Sequence, residues 1–593
     1  MPTKKANMDN IRLRRTKSPS ADEVRHSLSH LLAAAVLKKY PDTKLGIGPV
    51  IENGFYYDFL FKKPITPEIL SELENYVKNL IKTNLTFKEE KITPTKAKKL
   101  FTDQPFKMEL INEYVKDKKP LSIYTTGDKK SAIFVDLCKG GHVKNTQEIH
   151  PDAFKLTHLA GAYWRGSEKN QMLTRIYGLA FETKQELDEY LKFLEEAEKR
   201  DHRKIGKDLD LFSFHGEGAG FPFWHPNGMI IYNQLINFIS KQNEKRGYGE
   251  VKTPPILNKN LWVASGHWDK FKENMYFTEI DGQEFAIKPM NCPGGILIYN
   301  ENMRSYRDLP LRYSEFGLVH RHELSGVLHG LFRVRAFTQD DAHSFCAPEQ
   351  LGDEISGMVD YALDVYKTFG FNKYEIFIAT KPEKYIGDNK AWKKATDALA
   401  KALKDKKIDY KIKDGEGAFY GPKIEFNIKD ALNRNWQLGT IQVDFSMPAR
   451  LGATYTDTNN EKKNPVMVHR AILGSLERFI GILIEHYAGA FPFWLSPIQI
   501  TVLPIGEKHL KVSADIKNGL KKFGFRTEID GSNETLGKKI RNAEMKKIPY
   551  IIVIGDKEIE AQKIAVRERG KKEIEAISLE KFIENCRNLT PKF

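Results

Sequence analysis

Polar and apolar residues alternate from Arg312 to His320, the two-residue period of a strand with one buried face. A loop from Leu324 to Gly330 follows. A second strand is predicted from Leu331 to Phe337, with Arg333 and Arg335 on one face. The seven-residue connection is long for a purely structural hairpin. The run closes on Gln339, Asp340, Asp341 and His343. Ala21 to Tyr40 has a helical period, opened by Ser20 with Glu23 three residues on. A strand with aromatic residues spans about 54–59, and Thr157 to Gly178 reads as a second small β unit. Phe181 to Arg203 is charged at helical period and predicts a connecting helix. Lys207 to Phe214 reads as a strand entry. Met229 to Gly247 predicts an amphipathic helix, followed by a short strand stopped at Pro254-Pro255. Cys292 is placed at the end of an apolar strand. Thr440 to Phe445 alternates as a strand, and Gly474 to Phe479 is assigned to a helix within an apolar run. Beyond Pro497, strands and helices alternate as β-α-β-α-β, which predicts a small α/β domain with a parallel or mixed sheet. These elements divide the chain into a tail (1–19), a mixed domain (20–180), a linker helix (181–203), a large domain (204–495) and a C-terminal domain (496–593).

Composition narrows the partners. The chain has 593 residues, 93 basic and 78 acidic, for a net charge of +15. A positive field favours encounter with polyanions such as nucleic acid. Four cysteines, at 138, 292, 346 and 586, are too few for a disulfide framework and suit a reducing compartment. No apolar run is long enough to span a bilayer. The first twenty residues are basic and lack the apolar segment of a secretory signal, so they read as a disordered tail.

Several side chains could carry chemistry. His26 and His30, four apart, share one helical face. Asp136-Leu-Cys138-Lys-Gly-Gly-His142 presents a thiol and an imidazole on a glycine turn. Together these four could bind zinc or line a polar pocket without metal. Cys292 alone reads as a small buried hydrophobe. With His343 and His469, 51 residues after it and a further 126 on, it could form a three-ligand zinc shell with an open position, which spacing alone does not establish. Arg321 and Arg333 are rigid forks suited to polyphosphate or carboxylate, or else members of a solvated ion-paired face. Arg478 lies in the apolar run AILGSLERFIGIL, where a guanidinium wants a buried anion.

The string V-H-R-H-E…F-R-V-R-A-F resembles motif 2 of the class II aminoacyl-tRNA synthetases. H-S-L-S-H, G-P-V-I-E-N-G-F-Y-Y-D-F and D-L-C-K-G-G-H-V resemble the editing domain of bacterial-type threonyl-tRNA synthetases. K-P-M-N-C-P-G, T-Q-D-D-A-H and V-H-R-A-I-L-G-S-x-E-R resemble that family's three zinc-bearing motifs. The resemblance covers about residues 20–590. It implies an α+β multidomain protein with a class II antiparallel-sheet catalytic domain, an N-terminal α/β editing domain and a C-terminal α/β anticodon-binding domain. It assigns Arg321, Glu323, Arg333, Phe337 and Arg478 to ATP, with Mg²⁺. Arg321, Arg333, Arg478 and Lys423 are the implied catalytic set. Met290, Gln339, Asp341, Tyr420, Gln442 and Ser475 are assigned to threonine, and Cys292, His343 and His469 to one Zn²⁺ per subunit. It assigns His26, His30, Lys107, Asp136, Cys138 and His142 to editing, and Asn533, Glu558 and Arg567 to the anticodon. The implied activity is ATP-dependent attachment of L-threonine to tRNA(Thr) through threonyl-adenylate, with hydrolysis of mischarged seryl-tRNA, by a cytoplasmic homodimer. Zinc answers a selectivity problem, since shape separates threonine from isosteric valine poorly. Serine passes that test and needs a second, hydrolytic site.

Two positions depart from the family pattern. Lys139-Gly140-Gly141 stands where the family has Arg-Gly-Pro, expected to loosen the turn modestly while editing survives. Gly295 stands where the family has histidine; that position is not a ligand, so it bears on rate more than identity. The family's small N-terminal ubiquitin-like domain has no counterpart in this sequence. The rival reading is a catalytically weakened, synthetase-like RNA-binding regulator.

Overall fold

The computed structural model describes residues 19–128, 131–571, 573–589 and 591; the basic tail expected over 1–19 lies, but for Pro19, outside them. The chain divides into two compact units between Glu195 and Glu196, inside the Lys184–Lys199 helix. The continuous helix expected over 181–203 is interrupted: Asp201 caps a second helix, His202–Asp208, with its side chain.

In the first unit, the Ala21–Lys39 helix begins at Ser20 with the expected capping box to Glu23. Ser27 to Val36 are all buried, because helix and sheet pack around them. One antiparallel sheet orders Lys44–Leu45, Gly54–Leu60, Met172–Ala180 and Phe154–Tyr163. The region 157–178 is therefore not a separate β unit but completes the sheet begun by the aromatic strand. A second antiparallel sheet joins Thr86–Lys91, Ser122–Gly127 and Ala132–Leu137.

The second unit is built on an eight-stranded sheet. Its order is Gly249–Glu250, Leu311–His320, Ala336–Cys346, Val466–Ser475, Asn435–Asp444, Lys423–Lys429, Tyr374–Ala379 and Lys411–Lys413. All pairings are antiparallel except those of the two edge strands. Helices Pro226–Lys245, Leu351–Thr368 and Leu476–Tyr487 contribute to its core through Leu235, Tyr361 and Phe479. The C-terminal sheet is mixed, as expected. Thr527–Ile529, Ile500–Pro504 and Tyr550–Ile554 are parallel, and Ile564–Glu568 and Ile574–Ile577 add antiparallel.

Several boundaries differ from expectation for stated reasons. The second hairpin strand starts at Ala336, not Leu331. The N–H of Arg335 bonds to Gly220 O rather than to the neighbouring strand, and Gly330–Phe332 form a 3₁₀ turn. Arg333 and Arg335 therefore leave a loop rather than a strand face. Cys292 is the first residue of the Cys292–Asn300 helix, which Pro293 starts; the preceding strand ends at Ile287. Gly474 and Ser475 end a strand, and Ser475 caps the Leu476–Tyr487 helix. Lys207 and Asp208 close a helix, and the strand after them is only Phe212–Ser213.

Candidate active sites

In the second unit, strand register lays the site out as a grid. Cross-strand neighbours share a sheet face. One rung runs Tyr313–His343–His469–Gln442–Lys423 across five strands. The next rung runs Glu315–Asp341–Ala471–Thr440–Glu425. A bulge between Gln339 and Asp341 then shifts the register so that Gln339 meets Ser475.

Two cavities open on this grid. The first, about 390 Å³, has four charged residues on its wall: Arg321, Arg333, Arg478 and Glu323. Phe337, Gln339 and Ser475 also line it. Three guanidinium groups against one carboxylate favour a polyanion. Arg333 pairs with Glu323 at 3.0 Å. Arg478 Nε is buried without a partner, and burial, then the nearby Arg333, lowers its pKa. The helix turn that carries Arg478 is held by Ser475 Oγ, which accepts its backbone N–H at 3.0 Å.

The second cavity, about 320 Å³, is lined by Met290, Cys292, Asp341, Tyr420, Gln442 and His469, among others. Arg321 and Gln339 line both cavities. Burial lowers the Arg321 pKa, and its guanidinium carbon sits 5.1 Å from the Phe337 ring centre. Asp341 accepts from Asn291 Nδ2 at 3.0 Å, and burial raises its carboxyl pKa. The Tyr420 hydroxyl donates to Gln442 Oε1. Ser475, expected at the amino-acid pocket, lines the other cavity instead, because the bulge carries it toward Arg478. Lys423 lines neither cavity: Glu425 holds its ammonium at 2.7 Å, although its rung places it on the same face beside Gln442.

The Sγ of Cys292 and one nitrogen each of His343 and His469 lie within 4.8 Å of one another. All three residues are buried, and His343 Nε2 has no hydrogen-bond partner. His469 Nε2 lies 3.3 Å from Asp444 Oδ2, the carboxylate–histidine support usual behind metal-binding imidazoles. One thiol and two imidazoles with an orphaned nitrogen fit zinc. Gly295 leaves this set intact: a Cβ there would meet His343 Nδ1 at an ordinary 3.7 Å.

Sequence reasoning gave no role to Asp340. It points away from the cavity face and is buried. Its carboxylate accepts the N–H groups of Ile472, Leu473 and Gly474, fixing the turn before Ser475. Burial pushes its pKa up to about 6. The adjacent Asp340-Asp341 pair was the available signal, since successive strand residues face opposite sides and the inner one must find donors. His267 was also missed. It is buried behind Met290 and Phe419, with Nε2 3.2 Å from Met290 Sδ and its pKa pushed down to about 3 by burial.

The first unit holds a separate cluster. His26, His30, Cys138 and His142 offer four donor atoms within 4.8 Å. Cys138 Sγ is 3.4 Å from His26 Nε2 and 3.2 Å from His142 Nε2. Burial pushes the thiol up to about 11 and lowers the three imidazole pKa values, so the neutral forms are favoured. Lys107 and Asp136 form a buried ion pair at 2.6 Å, and the Tyr57 hydroxyl donates to Asp136 at 2.5 Å.

The turn 138–142 is not a loosened proline turn. Gly141 has φ +86°, which proline, fixed near −65°, does not reach. Gly141→Pro is expected to destabilise this unit by ~1–3 kcal/mol, seen as a lower urea midpoint, because the turn must rebuild. Gly141→Ala is expected to lose less.

In the C-terminal sheet region, Asn533 is exposed. The Glu558 carboxylate accepts the Gly555 N–H at 2.9 Å, and Arg567 pairs with Glu544 at 2.7 Å.

Comparison with known proteins follows the same division. Residues 276–487 match the tRNA synthetase class II core domain (G, H, P, S and T). Residues 499–589 match the anticodon binding domain, and 121–177 the threonyl and alanyl tRNA synthetase second additional domain. A threonine–tRNA ligase of Acetivibrio thermocellus is 52% identical over 564 residues, 95% of this chain and 87% of that one. That of Thermotoga maritima is 52% identical over 583 residues, 98% and 90% of the two chains. The crystal structure of the RNA binding domain of threonyl-tRNA synthetase from Cryptosporidium parvum Iowa II superposes with TM-score 0.65 at 40% identity. It covers 66% of this chain and 99% of that one.

Proposed function

The chain belongs to the threonine–tRNA ligase family, and from that premise we infer how its two clusters divide the work. It charges tRNA with threonine at the expense of ATP and edits its product. The observation that carries the synthetic assignment is the junction at Arg321 and Gln339, shared by an arginine-lined cavity and a small polar one. ATP with its Mg²⁺ takes the first, with Arg333 and Arg478 toward its outer phosphates and Phe337 at the adenine. Threonine takes the second, its ammonium toward Asp341 and its side chain among Tyr420, Gln442 and Met290. Its carboxylate attacks the α-phosphorus beside Arg321, the acyl–phosphate bond forms and pyrophosphate leaves. Positioned guanidinium groups stabilise the charge that develops. The terminal hydroxyl of tRNA then displaces AMP from the adenylate carbonyl.

Zinc on Cys292, His343 and His469 would supply a Lewis-acid position for the amino and hydroxyl groups of threonine, which valine cannot match. Serine can, so the cluster of His26, His30, Lys107, Asp136, Cys138 and His142 is assigned to hydrolysis of seryl-tRNA. Asn533, Glu558 and Arg567 are assigned to the anticodon, where amide, carboxylate and guanidinium groups suit splayed bases. Assembly as a homodimer is carried over from the family. No helix among the described residues is long and apolar enough to cross a membrane. A weakened RNA-binding relative would not need three arginines and a Cys/His/His set all in place.

The test is ATP–pyrophosphate exchange with threonine, valine and serine. Threonine and serine are expected to support exchange and valine to fall near background. Absence of exchange with threonine overturns the reading.

A further inference from the structure

Asp201, His202 and Glu485 crowd together much as a metal site would, yet their polar atoms already have partners. His202 Nδ1 lies 2.7 Å from Glu485 Oε1, and that oxygen also accepts the His202 backbone N–H at 3.1 Å. His202 Nε2 accepts the backbone N–H of Leu331 at 3.0 Å. The ring is therefore the tautomer with its proton on Nδ1. Glu485 Oε2 is at ion-pair distance from Arg434, 2.6 Å, although without the alignment of a hydrogen bond.

The two ends of this bridge matter. Glu485 lies seven residues after Arg478 on the Leu476–Tyr487 helix, so both occupy one face of it. Leu331 lies in the 3₁₀ turn two residues before Arg333. His202 thus joins the helix that presents Arg478 to the turn that presents Arg333. Packing follows the same line. The His202 ring meets Phe332 at 4.1 Å, Phe332 meets Trp436 at 4.4 Å, and the Arg478 guanidinium lies 5.9 Å from that indole. The turn is shaped to admit the imidazole. Gly330 has φ +50°, and a Cβ there would come within 2.2 Å of His202 Nε2.

We propose that His202 is a positioning residue for ATP, setting the separation of Arg333 and Arg478 without touching the nucleotide. The proposal rests on the assignment of those arginines to ATP. The two guanidinium groups repel each other, and among the described residues Glu323 offsets this on the Arg333 side. Without the bridge, the turn before Arg333 keeps the packing of Leu331 and Phe332 against Gly481 of the Arg478 helix but loses the hydrogen-bonded link through His202.

The test uses the full chain and pyrophosphate exchange, with wild type, His202→Ala, His202→Gln and Glu485→Gln compared. His202→Ala is expected to raise the KM for ATP about five- to tenfold, the cost of one buried hydrogen bond and its packing, with the KM for threonine unchanged. His202→Gln, whose amide oxygen can accept the Leu331 N–H, is expected to recover part of the ATP affinity. Glu485→Gln keeps the volume and is expected to show the same selective rise, more weakly; it and His202→Gln carry the test if the alanine variant does not fold. Equal changes in both KM values, a fall in kcat alone, or no advantage of Gln over Ala overturns the proposal. An inactive wild type overturns the ATP assignment instead, which separates the two failures.

Discussion

Arg321→Ala is expected to lower kcat/KM for threonine-dependent pyrophosphate exchange by ~10²–10³-fold, the usual cost of deleting one positioned donor to developing charge. Arg321 stands where the two cavities meet, so it faces the atoms between which the new bond forms. Burial lowers its pKa, a cost of holding the charge away from water, and among the described residues its hydrogen-bond acceptor is the Pro289 carbonyl, at 3.3 Å. A guanidinium kept at such cost is offset when an anion arrives. Arg321→Lys keeps the charge and loses the fork, so it is expected to fall between wild type and alanine. The melting temperature is expected to change little, because no described acid depends on this arginine for an ion pair. A loss under tenfold in the alanine variant would remove Arg321 from the reaction.

Much of the chemistry was legible because it sits in short strings. The capping box at Ser20 and Glu23 is local and formed as read. The alternation from Arg312 to His320 became a full strand, since a one-sided apolar face determines register. The His26/His30 and Cys138/His142 pairs came together because each pair is internally close and only one long-range packing event joins them. The 331–337 stretch failed for a physical reason. Its alternation is that of a strand, but Gly330 and the Arg335–Gly220 bond turn the backbone away from the sheet. Tertiary hydrogen bonding outweighed local pattern there.

The grid itself could not be read from the chain. That His343, His469, Gln442 and Lys423 form one rung depends on the register of four strands spread over more than a hundred residues. Ser475 shows how sensitive this is. A bulge that sets Ile472, Leu473 and Gly474 against the single residue Asp340 carries it to the arginine-lined cavity. His202 was invisible for the complementary reason. It lies in a charged stretch, and its partners Leu331 and Glu485 are 129 and 283 residues away.

Lys107→Met is expected to destabilise the first unit by ~3–5 kcal/mol, because it strands Asp136 as a buried, uncompensated carboxylate. Lys107 and Asp136 are both almost wholly buried, and the remaining donors to the carboxylate side chain would both be neutral, the Tyr57 hydroxyl and the Leu137 N–H. Asp136→Asn in the same chain removes the orphaned charge and is expected to restore most of the stability, since a neutral pair of similar volume needs no counter-ion. It is not expected to restore deacylation of seryl-tRNA, which should stay down by ~10²-fold or more if the ammonium and carboxylate move or hold a proton beside the cluster of His26, His30, Cys138 and His142. Threonine-dependent exchange serves as the internal control and should be unchanged, because its residues belong to the other unit. Urea denaturation separates the stability effect from the chemical one. Recovery of both stability and deacylation in the double variant would reduce the ion pair to a structural strut; recovery of stability alone assigns it to hydrolysis.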